Sequence, residues 1–552
     1  MKILGIIPAR GGSKGIKRKN LRILNRKPLI YYQIKNALES KHINDIVVTS
    51  DSDEILDYAS SLHVYLRKRP ESLADDITTL DPVIYDALKY TELNNKKKYD
   101  IVITLQPTSP LMSPVSLDKA IEKFRDENLD TLLPVVDATH LYWKKENDKL
   151  SPDYEARLNR QWLPKKYKEA GAFLITKREF VKEDSRFGEN VDIFILEETE
   201  GLDIDTEMDF LIAETAIKRL KITFIVNGNN DIGMGHVYRT LTLADGLLGH
   251  DITFIMTDSG ETSINLIKER GYNVVSTKKD SLFNLLDDIN PNIVINDILD
   301  TKFDYINKLK DSEFFVVNFE DLGDGADNAH LVFNALYEKT NPNPNHRFGY
   351  EYECLNEKFL LNEPIEFNDV PKTLIITFGG VDQCNVTSKL LNLSSDIFNQ
   401  TPLEKIIVIL GGGYRHNIDL SQIDSRIEIH QKVDNMQKLM KKADIAVTSN
   451  GRTIYELTSM GIPTISIAQN DRETLHLFAR YNKGIKYLGI SCTVTDEDIL
   501  NSIKAISNDD NLRRKMYHKQ LKSSAVIKNG LTKIIDEISS NYWKWKHEKN
   551  QN

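Results

Sequence analysis

Three times along this chain a short apolar run breaks straight into a glycine-bearing loop. Ile3-Leu4-Gly5-Ile6 leads into Pro8-Ala9-Arg10-Gly11-Gly12, Ile222–Val226 into Asn227-Gly228, and Leu374-Ile375-Ile376 into Phe378-Gly379-Gly380. Further short apolar runs lie between them at Ile46–Thr49, Ile101–Leu105, Thr131–Val136, Phe173–Thr176, Ile252–Met256, Ile293–Asn296, Phe314–Val317 and Lys405–Leu410, with helical patterns in between. Near-continuous apolar strands alternating with helices predict mostly parallel sheets covered by helices on both faces. With 552 residues the chain is too long for one core. The expected parts are residues 1–219, closed by a helix over Met208–Ile217; 220–365; 371–525, after the Pro- and acid-bearing stretch from Asn362; and a terminal helix and tail, 526–552.

Composition narrows the class. At 40% hydrophobic and 28% charged residues the chain reads as an ordinary globular protein. It has no apolar run of about 18 residues. Met1-Lys2 enters a strand with no basic-then-apolar leader, so the expectation is a cytoplasmic protein without a membrane partner. A net charge of −9 argues against nucleic acid. Cys354, Cys384 and Cys492 are too scattered for a disulfide framework or a zinc site. The basic aromatic end, Trp543–Lys549, reads as a frayed terminal helix rather than a membrane-surface element.

The first loop gathers five cations, Arg10, Lys14, Lys17, Arg18 and Lys19, around Gly11, Gly12 and Ser13. Glycines let backbone N–H groups approach a ligand, and the cations match the charge of a triphosphate. The loop is neither a Walker A nor a dinucleotide fingerprint. Arg69 sits in a second cationic cluster, and Gln106-Pro107-Thr108-Ser109 follows a strand with groups that suit a base or ribose. In Gly201-Leu202-Asp203-Ile204-Asp205-Thr206 the two carboxylates, two apart on an extended segment, share a face and would suit Mg²⁺, whereas Asp205 or Thr206 would also suit a helix N-cap.

These segments, in this order, resemble the acylneuraminate cytidylyltransferases, which join CMP from CTP to an acidic sugar. The resemblance implies attack of a sugar hydroxyl on the α-phosphate, with Arg10 and Lys19 as catalytic phosphate holders. It assigns Arg10, Gly11, Gly12, Ser13, Lys14, Asn20, Arg69 and Gln106 to the nucleotide, and Asp203 and Asp205 to the metal. Arg160 falls to the carboxylate of a nonulosonic acid acceptor. Lys17 replaces a common proline of the first motif, and Met112 stands where an arginine is usual.

In the second half, Gly233-Met234-Gly235-His236 precedes an apolar-periodic run that reads as a helix. A histidine at a helix N-terminus favours the neutral imidazole a general base requires. Of the twelve histidines, His236 is the catalytic candidate. The segment resembles the UDP-sugar hydrolases of pseudaminic acid synthesis and the glycosyltransferase-like proteins of spore-coat polysaccharide clusters. That implies a two-Rossmann, GT-B-like module behind a Rossmann-like nucleotidyltransferase domain, acting on a UDP-amino sugar. Gly380, Asn450, Gly451, Thr453 and Glu456 match nucleotide-binding positions, and Gln469 and Asn470 substrate-binding ones. Asn227 stands where that family has Asp, which leaves hydrolysis, transfer and mere binding as alternatives. A homodimer is among the assemblies this resemblance admits.

Overall fold

Strand Ile3–Pro8 is entirely buried and lies between Asp45–Ser50 and Ile101–Leu105, parallel to both. The computed structural model describes residues 1–12, 15–75, 77–228, 234–339, 342–418, 423–431, 433, 435–482 and 484–549. It divides into two units, Met1–Arg219 and Leu220–Asn552.

The sheet of the first unit runs Tyr167–Glu169, Thr131–Asp137, Phe173–Lys177, Ile101–Leu105, Ile3–Pro8, Asp45–Ser50, Tyr65–Lys68, with Val191–Ile195 added beside Thr131–Asp137. It departs from a purely parallel plan at Phe173–Lys177, which returns antiparallel between two strands, and at Tyr167–Glu169. Helices Leu29–Glu39 and Pro114–Asp126 bury Ile30, Ile34, Leu117 and Ile121 in one core, while Ile84, Ala87 and Leu88 of helix Leu80–Asn95 cover the other face. A separate exposed hairpin pairs Trp143–Glu146 with Lys149–Pro152.

The second unit holds two fully parallel sheets. The first is ordered Asn273–Ser276, Asp251–Ser259, Lys221–Gly228, Ile293–Asp297, Phe315–Phe319, Leu331–Asn334, His346–Phe348; the second Ile427–Gln431, Lys405–Leu410, Thr373–Thr377, Ile445–Ser449, Thr464–Ala468, Ile485–Ile490. Each starts mid-sheet and reverses direction about its first strand, which opens a crevice at the carboxyl ends of the strands.

The last two helices, through Lys549, are packed rather than frayed. Helix Asp510–Ile527 packs on the second subdomain, its Ser524 hydroxyl donating to the Ser459 carbonyl. Helix Gly530–Lys549 then crosses back to the first sheet, where Ile534, Ile538 and Tyr542 are buried and Trp545 lies 5.6 Å from the Phe315 ring. Each such buried side chain contributes about 1.5–3 kcal/mol, enough to hold the last helix in place. Among the described residues no helix is long and apolar enough to cross a membrane.

Candidate functional site

In the first unit the loop after strand Ile3–Pro8 is braced from inside. Gly11 N donates to Asp51 Oδ1 at 2.8 Å, and Asn20 Nδ2 donates to the Arg10 carbonyl at 2.9 Å. The Asn20 amide group therefore holds the loop's shape. Gly12 is exposed at the loop's tip; Ser13 and Lys14 lie outside the described residues. Arg69 is buried, with Nη2 donating to the Thr49 carbonyl at 3.1 Å and Nε without a partner. Burial lowers its pKa from the ordinary value; Asp51 opposes the drop and Arg10 adds to it. Two neighbouring guanidiniums with an unmatched buried donor make a place where an anion is favoured.

Gly15 shows why this loop meets the Asp203–Asp205 segment: a Cβ there would sit 2.7 Å from the Asp205 carbonyl oxygen. Ile204 is fully buried with Ile16, Leu24 and Leu29, which fixes the segment with its two carboxylates on the other side. The helix that follows is capped by Thr206, in a reciprocal box with Asp209, so neither Asp203 nor Asp205 is needed as the cap. Lys19 Nζ donates to the Ile204 carbonyl at 2.6 Å and to Asp205 Oδ1 at 3.3 Å. Asp203 Oδ1 is buried with no partner among the described residues. A Cβ on Gly171 would meet Asp203 Oδ2 at 3.2 Å and Gln106 Nε2 at 3.3 Å, so glycine keeps this corner open beside both groups. The hydroxyls of Thr108 and Ser109, in the same loop as Gln106, are also unmatched.

An orphaned carboxylate oxygen and a second carboxylate on the same short segment are the donor chemistry that suits a hard divalent cation, which completes its shell with water and phosphate oxygens. Among the described residues no group of three or more His, Cys, Asp or Glu gathers for a metal. Arg160 is not drawn into this constellation by any contact. It stands exposed on the turn Arg160–Trp162, without a side-chain partner among the described residues.

The second unit builds its constellation at the crevice. His236 lies in the first turn of helix Gly235–Gly246, and Gly233 lies outside the described residues. His236 Nδ1 meets Asp297 Oδ1 at 2.5 Å, at the carboxyl end of strand Ile293–Asp297. Arg239, one turn on, donates from Nε to Asp297 Oδ2 at 2.6 Å and from Nη2 to Oδ1. Burial alone would raise the Asp297 carboxyl; Arg239 and His236 outweigh it and hold it below the usual carboxylate range. An ionised Asp297 fixes the His236 ring and leaves Nε2 for chemistry.

His236 and Arg239 line a cavity of about 230 Å³ with Glu320, Arg452, Asn470 and His476. Arg452 reaches Glu320 at 2.6 Å and Glu353 at 2.7 Å, and Arg472 pairs with both oxygens of Asp300 at 3.0 Å. These ties join the two subdomains across the crevice. His476 Nδ1 donates to the Asn450 carbonyl at 2.6 Å, and burial lowers its pKa to about 4, so the ring is neutral.

Several candidates of the second subdomain are engaged by their own fold. Asn450 Nδ2 donates to the Glu473 and His476 carbonyls at 2.6 and 3.0 Å, and its Oδ1 accepts from Ser466, so this side chain braces the loop. Gln469 Oε1 accepts from Cys384 N at 3.0 Å while its Nε2 stays unmatched. Asn470 Oδ1 caps Glu473 N at 3.0 Å. Gly380 gives its carbonyl to Gly413 N at 3.0 Å. Gly451 and buried Thr453 flank Arg452, and burial pushes the Glu456 carboxyl up to about 7. Asp297, Arg239, Glu320, Arg452 and His476 went unseen in the sequence; the available signal for Asp297 and Glu320 was an acid at the carboxyl end of an apolar strand.

In the first unit, then, the loop after the first strand brings Lys19 up to the Asp203–Asp205 segment. Residues 4–221 match the family model described as cytidylyltransferase. Post-translational flagellin modification protein B of Campylobacter coli is 37% identical over 224 residues, which cover 39% of this chain and 95% of that protein. CMP-N,N'-diacetyllegionaminic acid synthase of Campylobacter jejuni is 37% identical over 223 residues, 39% and 94% of the two chains. The chain belongs to the cytidylyltransferase family and is a cytidylyltransferase. Among solved structures, MurG of Acinetobacter baumannii is similar to 58% of this chain over 99% of its own, at 13% identity and a TM-score of 0.43.

Proposed function

We propose that the first unit activates a nonulosonic acid of the legionaminic or pseudaminic kind as its CMP derivative. A hydroxyl oxygen of the acid attacks the α-phosphorus of CTP, the bond to the β-phosphate oxygen breaks, pyrophosphate leaves, and the hydroxyl's proton passes to solvent. The observation that carries this is the buried Asp203 Oδ1, without a partner among the described residues, on a carboxylate that shares the Gly171 corner with Gln106. Asp203 and Asp205 would hold Mg²⁺, which when bound supplies charge neutralisation at the phosphates. Arg10, Arg69 and Lys19 hold and align the triphosphate, and Gly12, where a Cβ would meet nothing within 4 Å, leaves room for it; Gly11, Ser13 and Lys14 belong to the same proposal. Asn20 acts by fixing the loop, and Arg160 reads the acceptor's carboxylate. Catalysis of this kind is mainly alignment and electrostatics. The named relatives make CMP-legionaminic acid in one case and modify flagellin in another, in keeping with this substrate class.

For the second unit we infer action on a UDP-amino sugar. His236 Nε2 takes the proton of an attacking O–H, that oxygen bonds to the anomeric carbon, and UDP departs. With water as the nucleophile this is hydrolysis; with a sugar hydroxyl it is transfer. The carrying observation is His236 held at 2.5 Å by an ionised, buried Asp297 on the wall of the cavity. The loop from Asn450 to Glu456, with Gly380, Gln469 and Asn470, is the nucleotide and sugar side. In the full chain, His236→Ala abolishes UDP release from UDP-amino sugars and leaves UDP-sugar binding and CTP-dependent synthesis near normal. Steady UDP release by that variant at the parent's rate overturns the role of His236.

A further inference from the structure

The cavity at His236 is small for its proposed substrate. Small-molecule sites usually run to roughly 300–1,000 Å³, and this one holds about 230 Å³. Tyr337 forms one of its walls, with the phenol oxygen accepting from Arg472 Nε at 2.9 Å. Tyr337 also lines a second chamber, of about 500 Å³. One side of that chamber comes from the loops and ends of strands Phe315–Phe319, Leu331–Asn334 and His346–Phe348, the other from residues 474–480.

Its chemistry is specific. Asn334 is fully buried; Nδ2 donates to the Asp321 carbonyl at 3.2 Å, and Oδ1 has no donor among the described residues. Asp321 is the opposite case. Its carboxylate already accepts from Thr301 N, Gly323 N, the Thr301 hydroxyl and Asn318 Nδ2, at 2.9, 2.8, 2.6 and 2.6 Å. The remaining charges balance, Asp327 and Glu338 against Lys339 and Arg480. Buried His346 stacks on Phe348 with ring centroids 5.4 Å apart and planes within 5°, which gives the chamber an aromatic face. A balanced rim excludes strong preference for an anion, an orphaned acceptor calls for a hydroxyl or amide donor, and an aromatic face suits the C–H side of a ring.

We propose that this chamber binds an uncharged carbohydrate, whose hydroxyl or amide donor satisfies Asn334 Oδ1 and whose reacting hydroxyl faces His236 past Tyr337. The inference rests on the nucleotide-sugar reading of the second unit, and within it selects transfer over hydrolysis. The acceptor oxygen bonds to the anomeric carbon as the bond to UDP breaks, and the acceptor's proton goes to His236.

The test is saturation-transfer NMR and calorimetry on the full chain with methyl N-acetylglucosaminide, methyl glucoside and the acidic N-acetylneuraminate as probes. UDP is titrated in parallel. The neutral glycosides bind and the acidic sugar does not. Leu475, at the chamber and 52% exposed, can be enlarged without touching the core. Leu475→Trp weakens glycoside binding by about tenfold while UDP binding is unaltered, and Asn334→Leu moves it the same way. Absent glycoside binding in the parent, or binding unaltered by Leu475→Trp, overturns the chamber. Glycoside binding that Leu475→Trp weakens, in a chain that takes no UDP, upholds the chamber and removes the nucleotide-sugar reading instead.

Discussion

Lys19 contacts the Ile204 carbonyl and the Asp205 carboxylate together, so one ammonium ties the first loop to the carboxylate segment across 185 residues of sequence. Asp203 beside it is the acid whose oxygen the fold leaves unmatched. Asp203→Asn keeps the size and removes the charge, and CTP-dependent pyrophosphate release falls by about a hundredfold or more while the melting temperature stays within a degree or so. Full activity in this variant would remove Asp203 from the site. The Asp-x-Asp pair is visible in the sequence because an extended segment puts alternate residues on one face, and its role as a metal site stays a proposal. Asn450 was not, because sequence identity does not reveal which polar groups the fold itself uses up; its amide is committed to Glu473 and His476. Nor was the partner of His236, since Asp297 lies 61 residues away and only the pairing of parallel strands brings it near.

Among elements, the strands and their order along the chain followed from apolar runs, and the helices between them from periodicity. The antiparallel return of Phe173–Lys177 did not, because its residues are as apolar as those of any central parallel strand. The terminal helix was misread for a related reason. Its buried stripe of Ile534, Ile538 and Tyr542 is spread among charged residues and finds its partner far upstream in sequence, Phe315 on the first sheet of its unit. His330 reports on that packing. Its ring lies 5.3 Å from Trp545, its Nδ1 accepts from Val316 N at 2.9 Å, and burial, helped by Lys310, lowers its pKa from 6.5 to about 4. Since the unfolded chain takes up this proton first, the stabilisation is complete above pH 6.5 and is lost as pH falls towards 4. His330→Asn keeps an acceptor for Val316 N and removes the proton site. Its melting temperature falls less steeply than the parent's over that range. Equal slopes would show that His330 titrates normally.

For the whole molecule, the division into Met1–Arg219 and Leu220–Asn552 places the carboxylate corner and the His236 crevice in separate units, each with its own sheets. Separate sites account for the expectation that a change at either leaves the chemistry of the other intact. The cytidylyltransferase half announced itself through four ordered loops, each at the end of a strand; the other half offered one strong loop, and its remaining site residues come from strand ends far apart in sequence. The most direct measurement is pyrophosphate release by the full chain supplied with CTP, Mg²⁺ and a panel of nonulosonic acids, with mass spectrometry of the products. The expected result is release that depends on the acid, a product with the mass of the CMP-sugar, and no change on His236→Ala. Release that never depends on any acid of the panel, or an acid-dependent reaction that yields no CMP-sugar, would contradict it.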